Sequence, residues 1–350
     1  MKVLAAMSGG VDSSVSALLL HRQGHQVIGA MMRFWPDQRT DSTFETCCSP
    51  DAAYQARRVA RQVGIPFYLL DYREVFDRSI RRPFLEAYRE GKTPNPCVRC
   101  NTFVKFGALL EQARALGCDA VATGHYVRHR DAFGTPGLFR GSDSAKDQSY
   151  FLWGTPGDAA ARLIFPVGHL RKAQVRELAL DAGLITAGKP ESQDICFVPG
   201  ALREYLSSEL GHAPGPIRDL ASGEVLGQHQ GVQFYTIGQK RGLGLTRSDQ
   251  ERYVVRIDAE ARTLWVGAAQ DCLSDRLTAE QANWLLDPED LPESLEAQLR
   301  YRSSAVRARL YAVQKDSFTL QLAEPQFAVT PGQSVVLYQG DRLLGGGVIA

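Results

Sequence analysis

The sequence predicts a doubly wound parallel α/β sheet, followed by a small mostly-β central domain and a C-terminal β-barrel. Three observations carry that expectation. Apolar runs alternate with helix-like stretches through the N-terminal half, a glycine-rich turn closes the first apolar run, and short alternating segments replace long helices after about Pro199. Taken in order, strands are expected at Val3 to Met7, Val27 to Met32, Phe67 to Asp71 and Ala120 to Thr123. Helices are expected at Ser13 to Arg22, Pro50 to Val63, Phe76 to Glu90, Phe106 to Leu116 and Lys172 to Ala182. Tyr253 to Ile257 and Thr263 to Val266 flank a polar turn and read as a hairpin. Leu295 to Tyr301, Ala305 to Val313, Ser317 to Ala323 and Ser334 to Tyr338 read as the strands of a small barrel. The implied division is residues 1–199, 200–273 and 274–350.

Ligands of such a sheet bind beyond the carboxyl ends of its strands. The first strand runs into Ser8-Gly9-Gly10-Val11-Asp12-Ser13-Ser14. Glycines there can adopt positive φ and offer bare N–H groups to an anion, and a helix N-terminus follows, with Ser13 and Ser14 expected to open it. No lysine precedes the serines as in a Walker A loop, and the glycine spacing is not that of a dinucleotide turn. The run resembles the PP-loop of ATP pyrophosphatases, which implies ATP binding by Ala6 through Ser13, with Asp12 available to Mg²⁺. Met32 and Gly124, at the ends of the second and fourth strands, are expected beside the nucleotide.

Composition bounds the partners. Lys plus Arg number 40 against 39 Asp plus Glu, so any RNA contact must come from local patches. Such patches are offered by Arg78, Arg81 and Arg82, by Arg128 to Arg130, and by Arg300 to Arg309. The apolar stretch after Met1 is shorter than the roughly seven to fifteen residues of a signal core. No segment is long enough to span a bilayer, so a cytoplasmic protein is expected. In that compartment the seven cysteines are read for chemistry rather than for structural disulfides. Cys97 and Cys100 follow Pro94 and Pro96, which are expected to stop the preceding helix and present both thiols on a loop. Arg99, Lys105 and a helix start near Phe103 would favour thiolate. Cys196 follows a Gly-Lys-Pro turn. Cys47, Cys48, Cys118 and Cys272 read as ordinary buried residues, Cys118 beneath the fourth strand.

Read together, Ser8 to Ser14, Thr93 to Asn101, Thr123 to Tyr126, Lys146 to Ser149, Ser192 to Phe197 and Tyr235 to Gly244 resemble the tRNA-specific 2-thiouridylase family, in order over nearly the whole chain. The resemblance implies ATP-dependent replacement of O2 by sulfur on the wobble uridine of Lys, Glu and Gln tRNAs. It implies Cys100 as nucleophile and Cys196 as persulfide carrier. It puts RNA contacts at Asn95, Pro96, Cys97, His125, Lys146, Asp147, Gln148, Arg300, Tyr301 and Gln333. A cysteine desulfurase or relay protein would supply sulfur to a monomer.

One departure stands out: the better-known form of the family has Asp at the position of Cys97. Cys97, Cys100 and Cys196 would then provide three thiolates for a [4Fe-4S] cluster with one open iron, as an alternative to a persulfide route. Rival readings are another PP-loop adenylating enzyme, of amidotransferase synthetase or tRNA lysidine synthetase type, which would not need Cys100 and Cys196. A non-catalytic nucleotide-binding protein, or a plain RNA-binding module, would release no pyrophosphate.

Overall fold

The computed structural model describes residues 1–34, 49–130, 134–190, 195–245 and 251–350. Cys47, Cys48 and Glu191 to Asp194 lie outside the described residues. The chain divides into two compact units. The first comprises Met1–Ile80, Cys97–Pro199 and Asp341–Leu343; the second comprises Arg81–Pro96, Gly200–Gly340 and Leu344–Ala350.

In the first unit, β1 (Lys2–Ala6), β2 (Gln26–Arg33), β3 (Phe67–Asp71) and β4 (Ala120–Ala122) pair in parallel with the short strand Leu163–Ile164 in the order β3-β2-β1-β4-Leu163. The chain therefore winds outward from β1 to β3, then returns to the other side of β1 with β4. That reversal is a topological switch point, where the carboxyl ends of adjacent strands splay into a crevice. Helices α1 (Val11–Arg22) and α2 (Pro50–Val63) pack with Lys172–Asp181 on a core that includes Val3, Val15, Met31, Val59 and Val175. Ser49 caps α2 by accepting from the Ala52 N–H, Pro50 occupies the first turn, and Gly64 closes it at φ 84°. A hairpin, Val127–Arg130 with Pro136–Arg140, is absent from the expectations, because Arg and His hide its alternation.

Three local expectations are corrected in the first unit. Val11, not Ser13, opens α1, with Gly10 as its N-cap. Cys97 lies in a helical turn, Pro96–Arg99, that runs on as a π-helical stretch, Cys100–Ala108, and then Leu109–Ala115. The pair is therefore helical rather than loop-borne, because Pro96 needs no N–H partner and starts a helix instead of blocking one. Cys118 precedes β4 and belongs to the left-handed cap of the preceding helix: its N–H donates to the Ala113 carbonyl while Gly117 takes φ 68°.

In the second unit, the helix Arg82–Arg89 ends at Gly91 rather than at the prolines. Gly91 takes φ 72°, and the Lys92 N–H reaches back to the Ala87 carbonyl. A four-stranded sheet, ordered Tyr253–Asp258, Thr263–Gly267, Gly215–Asp219, Val225–His229, precedes the barrel. The barrel runs Leu273–Trp284, Ser317–Phe327, Val306–Val313, Ser294–Gln298, Ser334–Gln339, Arg342–Ile349, and its first and last strands pair to close it. Its interior is filled by Leu277, Leu295, Phe318, Leu320, Leu337 and Leu344. Among the described residues no helix is long and apolar enough to cross a membrane.

Candidate active site

The glycine loop leaves β1 at the switch point, with Met7 buried in the core and its N–H bonded to the Ala30 carbonyl. Gly9 takes φ 70°, and a Cβ there would stand 2.4 Å from the Ala52 carbonyl oxygen, so only glycine lets α2 approach. The serines tighten the loop on itself. Ser13 and Ser14 hydroxyls donate to the Gly10 carbonyl at 3.1 and 2.8 Å, and the Ser8 N–H donates to Ser13 Oγ at 3.1 Å. Gly124, just past β4, packs so closely on α1 that a Cβ would lie 2.7 Å from the Ser13 nitrogen. The ends of β1 and β4 thus meet at the first turn of α1, where unpaired N–H groups and the helix dipole favour an anion. Ala6 and Met32 are half-buried at the ends of their strands.

Asp12 sits in that first turn, but its carboxylate is already engaged. Lys172 Nζ donates to both of its oxygens, at 2.7 and 2.8 Å, and the Tyr126 hydroxyl donates to Oδ1 at 2.7 Å. The Lys172 side chain is only 11% exposed, so this is a sheltered ion pair. A divalent cation does not fit on Asp12 while the ammonium spans both oxygens, and no step is assigned to one there. Lys189 supplies a second ammonium, donating to the Gly9 carbonyl at 3.2 Å. Neither lysine carried a sequence signal, since they stand 160 and 180 residues from their partners.

Next to this crevice, Thr123 Oγ1 and His125 Nδ1 share a hydrogen bond of 2.7 Å, and the imidazole meets Phe106 and Phe165 edge-on. Burial, then the charge of Lys105, holds His125 well below its ordinary value of 6.5, so the ring is neutral near pH 7. Two expected RNA-contact residues are internal fasteners of the first unit. Asp147 accepts from Arg140, the Gly141 and Ser149 N–H groups and the Ser149 hydroxyl, while Gln148 Oε1 accepts from the Tyr126 N–H. Lys146 is half-buried beside them.

The cysteine segments converge on one helical run. Phe197, next to Cys196, packs edge-on against Phe76 at 5.3 Å, and Arg99, next to Cys100, donates from Nε to the Ser79 carbonyl at 3.1 Å. Phe76 and Ser79 both lie on the continuous helical stretch Arg73–Arg81. Cys100 is buried, Cys196 half-buried and Cys97 exposed. Arg99 is turned to Ser79 and to the Phe103 ring, 4.9 Å away, rather than serving the thiols alone. Among the described residues no three His, Cys, Asp or Glu side chains gather as a metal site. Burial pushes the thiols of Cys118 and Cys272 up, which suits inert core residues.

In the second unit, Asn95 and Pro96 end the segment that carries Thr93. There Gln333 Nε2 donates to the Thr93 carbonyl at 2.8 Å, and Arg300 donates to the Ala328 carbonyl and to Thr330 Oγ1 at 3.2 Å. Tyr301 is half-buried, with the Arg302 guanidinium 5.6 Å from its ring centre.

Comparison with known proteins bears on the family of the whole chain. Family models described as tRNA methyl transferase HUP domain, tRNA methyl transferase PRC-barrel domain and aminomethyltransferase β-barrel domain match residues 1–200, 203–268 and 274–349. A tRNA-specific 2-thiouridylase MnmA of Deinococcus radiodurans is 60% identical over all of this chain and 92% of its own length. Its namesake from Thermus thermophilus is 56% identical over 99% of this chain and 94% of its own. A 4-thiouridine synthetase bound to RNA and ATP overlaps 56% of this chain and 44% of its own at 17% identity, with a TM-score of 0.35, too low to argue from. Sequence likeness along the full length is decisive, and the chain belongs to the tRNA-specific 2-thiouridylase family.

Proposed function

We propose that this protein is a tRNA sulfurtransferase that replaces O2 of the wobble uridine in Lys, Glu and Gln tRNAs with sulfur, at the expense of ATP. The observation that carries the reading is the pairing of a glycine loop at the switch point with two cysteine segments that both contact the helical stretch Arg73–Arg81, through Phe76 and Ser79. A uracil oxygen is a poor leaving group. Attack of O2 on the α-phosphorus of ATP expels pyrophosphate and makes that oxygen part of AMP, a good one. Loop N–H groups and the dipole of α1 stabilise the charge that builds on the departing pyrophosphate. Any divalent cation enters with the nucleotide as part of the substrate.

Cys196 then carries sulfane sulfur as a persulfide, delivered by a cysteine desulfurase or a relay protein. Its terminal sulfur attacks C2, the C2–O bond breaks and AMP leaves. Cys100 thiolate attacks Cys196 Sγ, releasing 2-thiouridine and leaving a Cys100–Cys196 disulfide, which a cellular dithiol must reduce before the next cycle. The uridine must be unstacked to reach this chemistry, and neutral His125 is suited to bond or stack against it. Met32 is assigned to the adenine edge of the pocket. Lys146, Arg300 and Tyr301 are assigned to RNA contact with Asn95 to Cys97, whereas Asp147, Gln148 and Gln333 hold the segments that carry such contacts. Residues 1–199 perform adenylation and sulfur transfer, and 200–273 and 274–350 position RNA.

Substitution of Cys100 or Cys196 by Ser is expected to abolish thiolation while ATP binding survives, read by nucleoside mass spectrometry and nucleotide titration. Retained thiolation in either variant contradicts the route. Anaerobic purification with iron and sulfide analysis tests the persulfide assignment separately: iron-free protein that thiolates supports it, and stoichiometric iron and sulfide required for activity overturns it.

A further inference from the structure

A triphosphate carries several negative charges, yet the glycine loop contains no lysine, and the carboxylate of Asp12 adds a charge of the wrong sign at its centre. Two lysines from far along the chain meet this need differently. Lys172 is bound through both oxygens of Asp12, so its charge is spent in neutralising that carboxylate, and moving it would deprive the partly exposed carboxylate of its counter-charge. Lys189 is half-buried and, among the described residues, its ammonium bonds a neutral carbonyl, that of Gly9, at 3.2 Å. Exchange of that long bond for a charge-assisted one to phosphate is favourable. Its backbone is fixed. The Arg176 guanidinium donates to the carbonyls of Ala187 and Lys189 at 3.0 and 3.3 Å, and the Lys189 N–H donates to the Thr186 carbonyl at 3.1 Å.

We propose that Lys189 grips the polyphosphate of the bound nucleotide, standing in for the lysine that other phosphate loops carry within the loop, while Asp12 and Lys172 form a fixed, internally neutral floor beneath it. The proposal deepens the adenylation reading and rests on it for the identity of the nucleotide. The ligand chemistry it names, inorganic or nucleotide-borne pyrophosphate, can be tested without any turnover.

The experiment compares wild type with Lys189→Ala and Lys189→Arg, using MgATP, sodium pyrophosphate and AMP as separate titrants in calorimetry, alongside the KM for ATP and kcat of tRNA-dependent pyrophosphate release. Lys189→Ala is expected to weaken pyrophosphate and ATP binding by about tenfold or more, as loss of a charge-assisted bond predicts, with AMP affinity and Tm unchanged. Lys189→Arg is expected to restore most of that loss, because it returns the charge. Equal pyrophosphate affinity in wild type and Lys189→Ala overturns the assignment, as does a parallel loss of AMP binding, which would mean a structural role. If wild type binds pyrophosphate yet releases none from ATP and tRNA, the adenylation reading fails. The lysine assignment then stands or falls on the pyrophosphate titrations alone.

Discussion

Gly124 shows how tightly single residues constrain this site. A methyl group there would sit 2.7 Å from the Ser13 nitrogen and 2.8 Å from the Asp12 carbonyl carbon, so Gly124→Ala must push α1 away from β4. The expected result is a loss of about 1–3 kcal/mol in stability from overpacking, with a larger proportional loss in ATP affinity, measured by denaturant melts and nucleotide titration. Asp12→Asn is expected to lower stability by about 1–3 kcal/mol, since the sheltered Lys172 ammonium would face a neutral amide, and a thermal melt checks it. The glycine loop was legible in the sequence because seven consecutive residues carry it. Lys172 and Lys189 were not, because only the fold brings them to Asp12 and Gly9. Asp147 and Arg300 were legible as polar residues near the right motifs. Their partners, main-chain groups brought in by local folding, could not be read from spacing.

Among the elements, the parallel strands and α2 followed directly from apolar periodicity and capping residues, while the two π-helical stretches did not. Asp77–Arg81 and Cys100–Ala108 differ from α-helix by a shift in hydrogen-bond register, which no propensity encodes, and such stretches recur at functional sites. The barrel strand Leu273–Trp284 escaped notice because Leu277 and Ala279 are its only buried side chains, so its alternation is too sparse to see. Arg342–Ile349 was not assigned from the sequence, where its three glycines blur the apolar pattern, and Gly345 must lack a Cβ, which would meet the Asn283 carbonyl oxygen at 2.3 Å. Gly91 offers a test at this scale. At φ 72°, with Ile257 Cγ2 2.5 Å from where a Cβ would lie, Gly91→Ala is expected to cost about 1 kcal/mol or more, read as a lower urea midpoint at unchanged slope.

At the scale of the whole molecule, three histidines among the described residues contribute to the response to mild acid. Burial is the main cause that lowers His125, His129 and His229 below 6.5, so the unfolded chain binds more protons than the native one once pH falls past that value. Their contribution is fully present above pH 6.5 and is lost progressively as pH drops from there toward the depressed native values. Urea melts at about pH 7 and pH 5 should therefore differ, and His129→Gln should shrink the difference. Truncation near Ser274 bears on the second unit. It removes Phe327, which packs edge-on with Tyr253 at 5.6 Å, and Ala328, against which Gly238 closes, so the remaining sheet is expected to lose stability along with RNA affinity. A truncated protein that melts normally and binds tRNA as tightly as the full chain would contradict the role given to the barrel.

The central claim is that ATP converts a tRNA uridine oxygen into a group that sulfur can displace. Its most direct test is mass spectrometry of nucleosides from Lys, Glu and Gln tRNAs after incubation with the full-length protein, ATP, Mg²⁺, a cysteine desulfurase with cysteine as persulfide donor, and a dithiol. 2-Thiouridine is expected only when ATP is present, with one AMP and one pyrophosphate released for each sulfur gained. Thiouridine formed without ATP, or ATP cleaved with no thiouridine appearing, would contradict it.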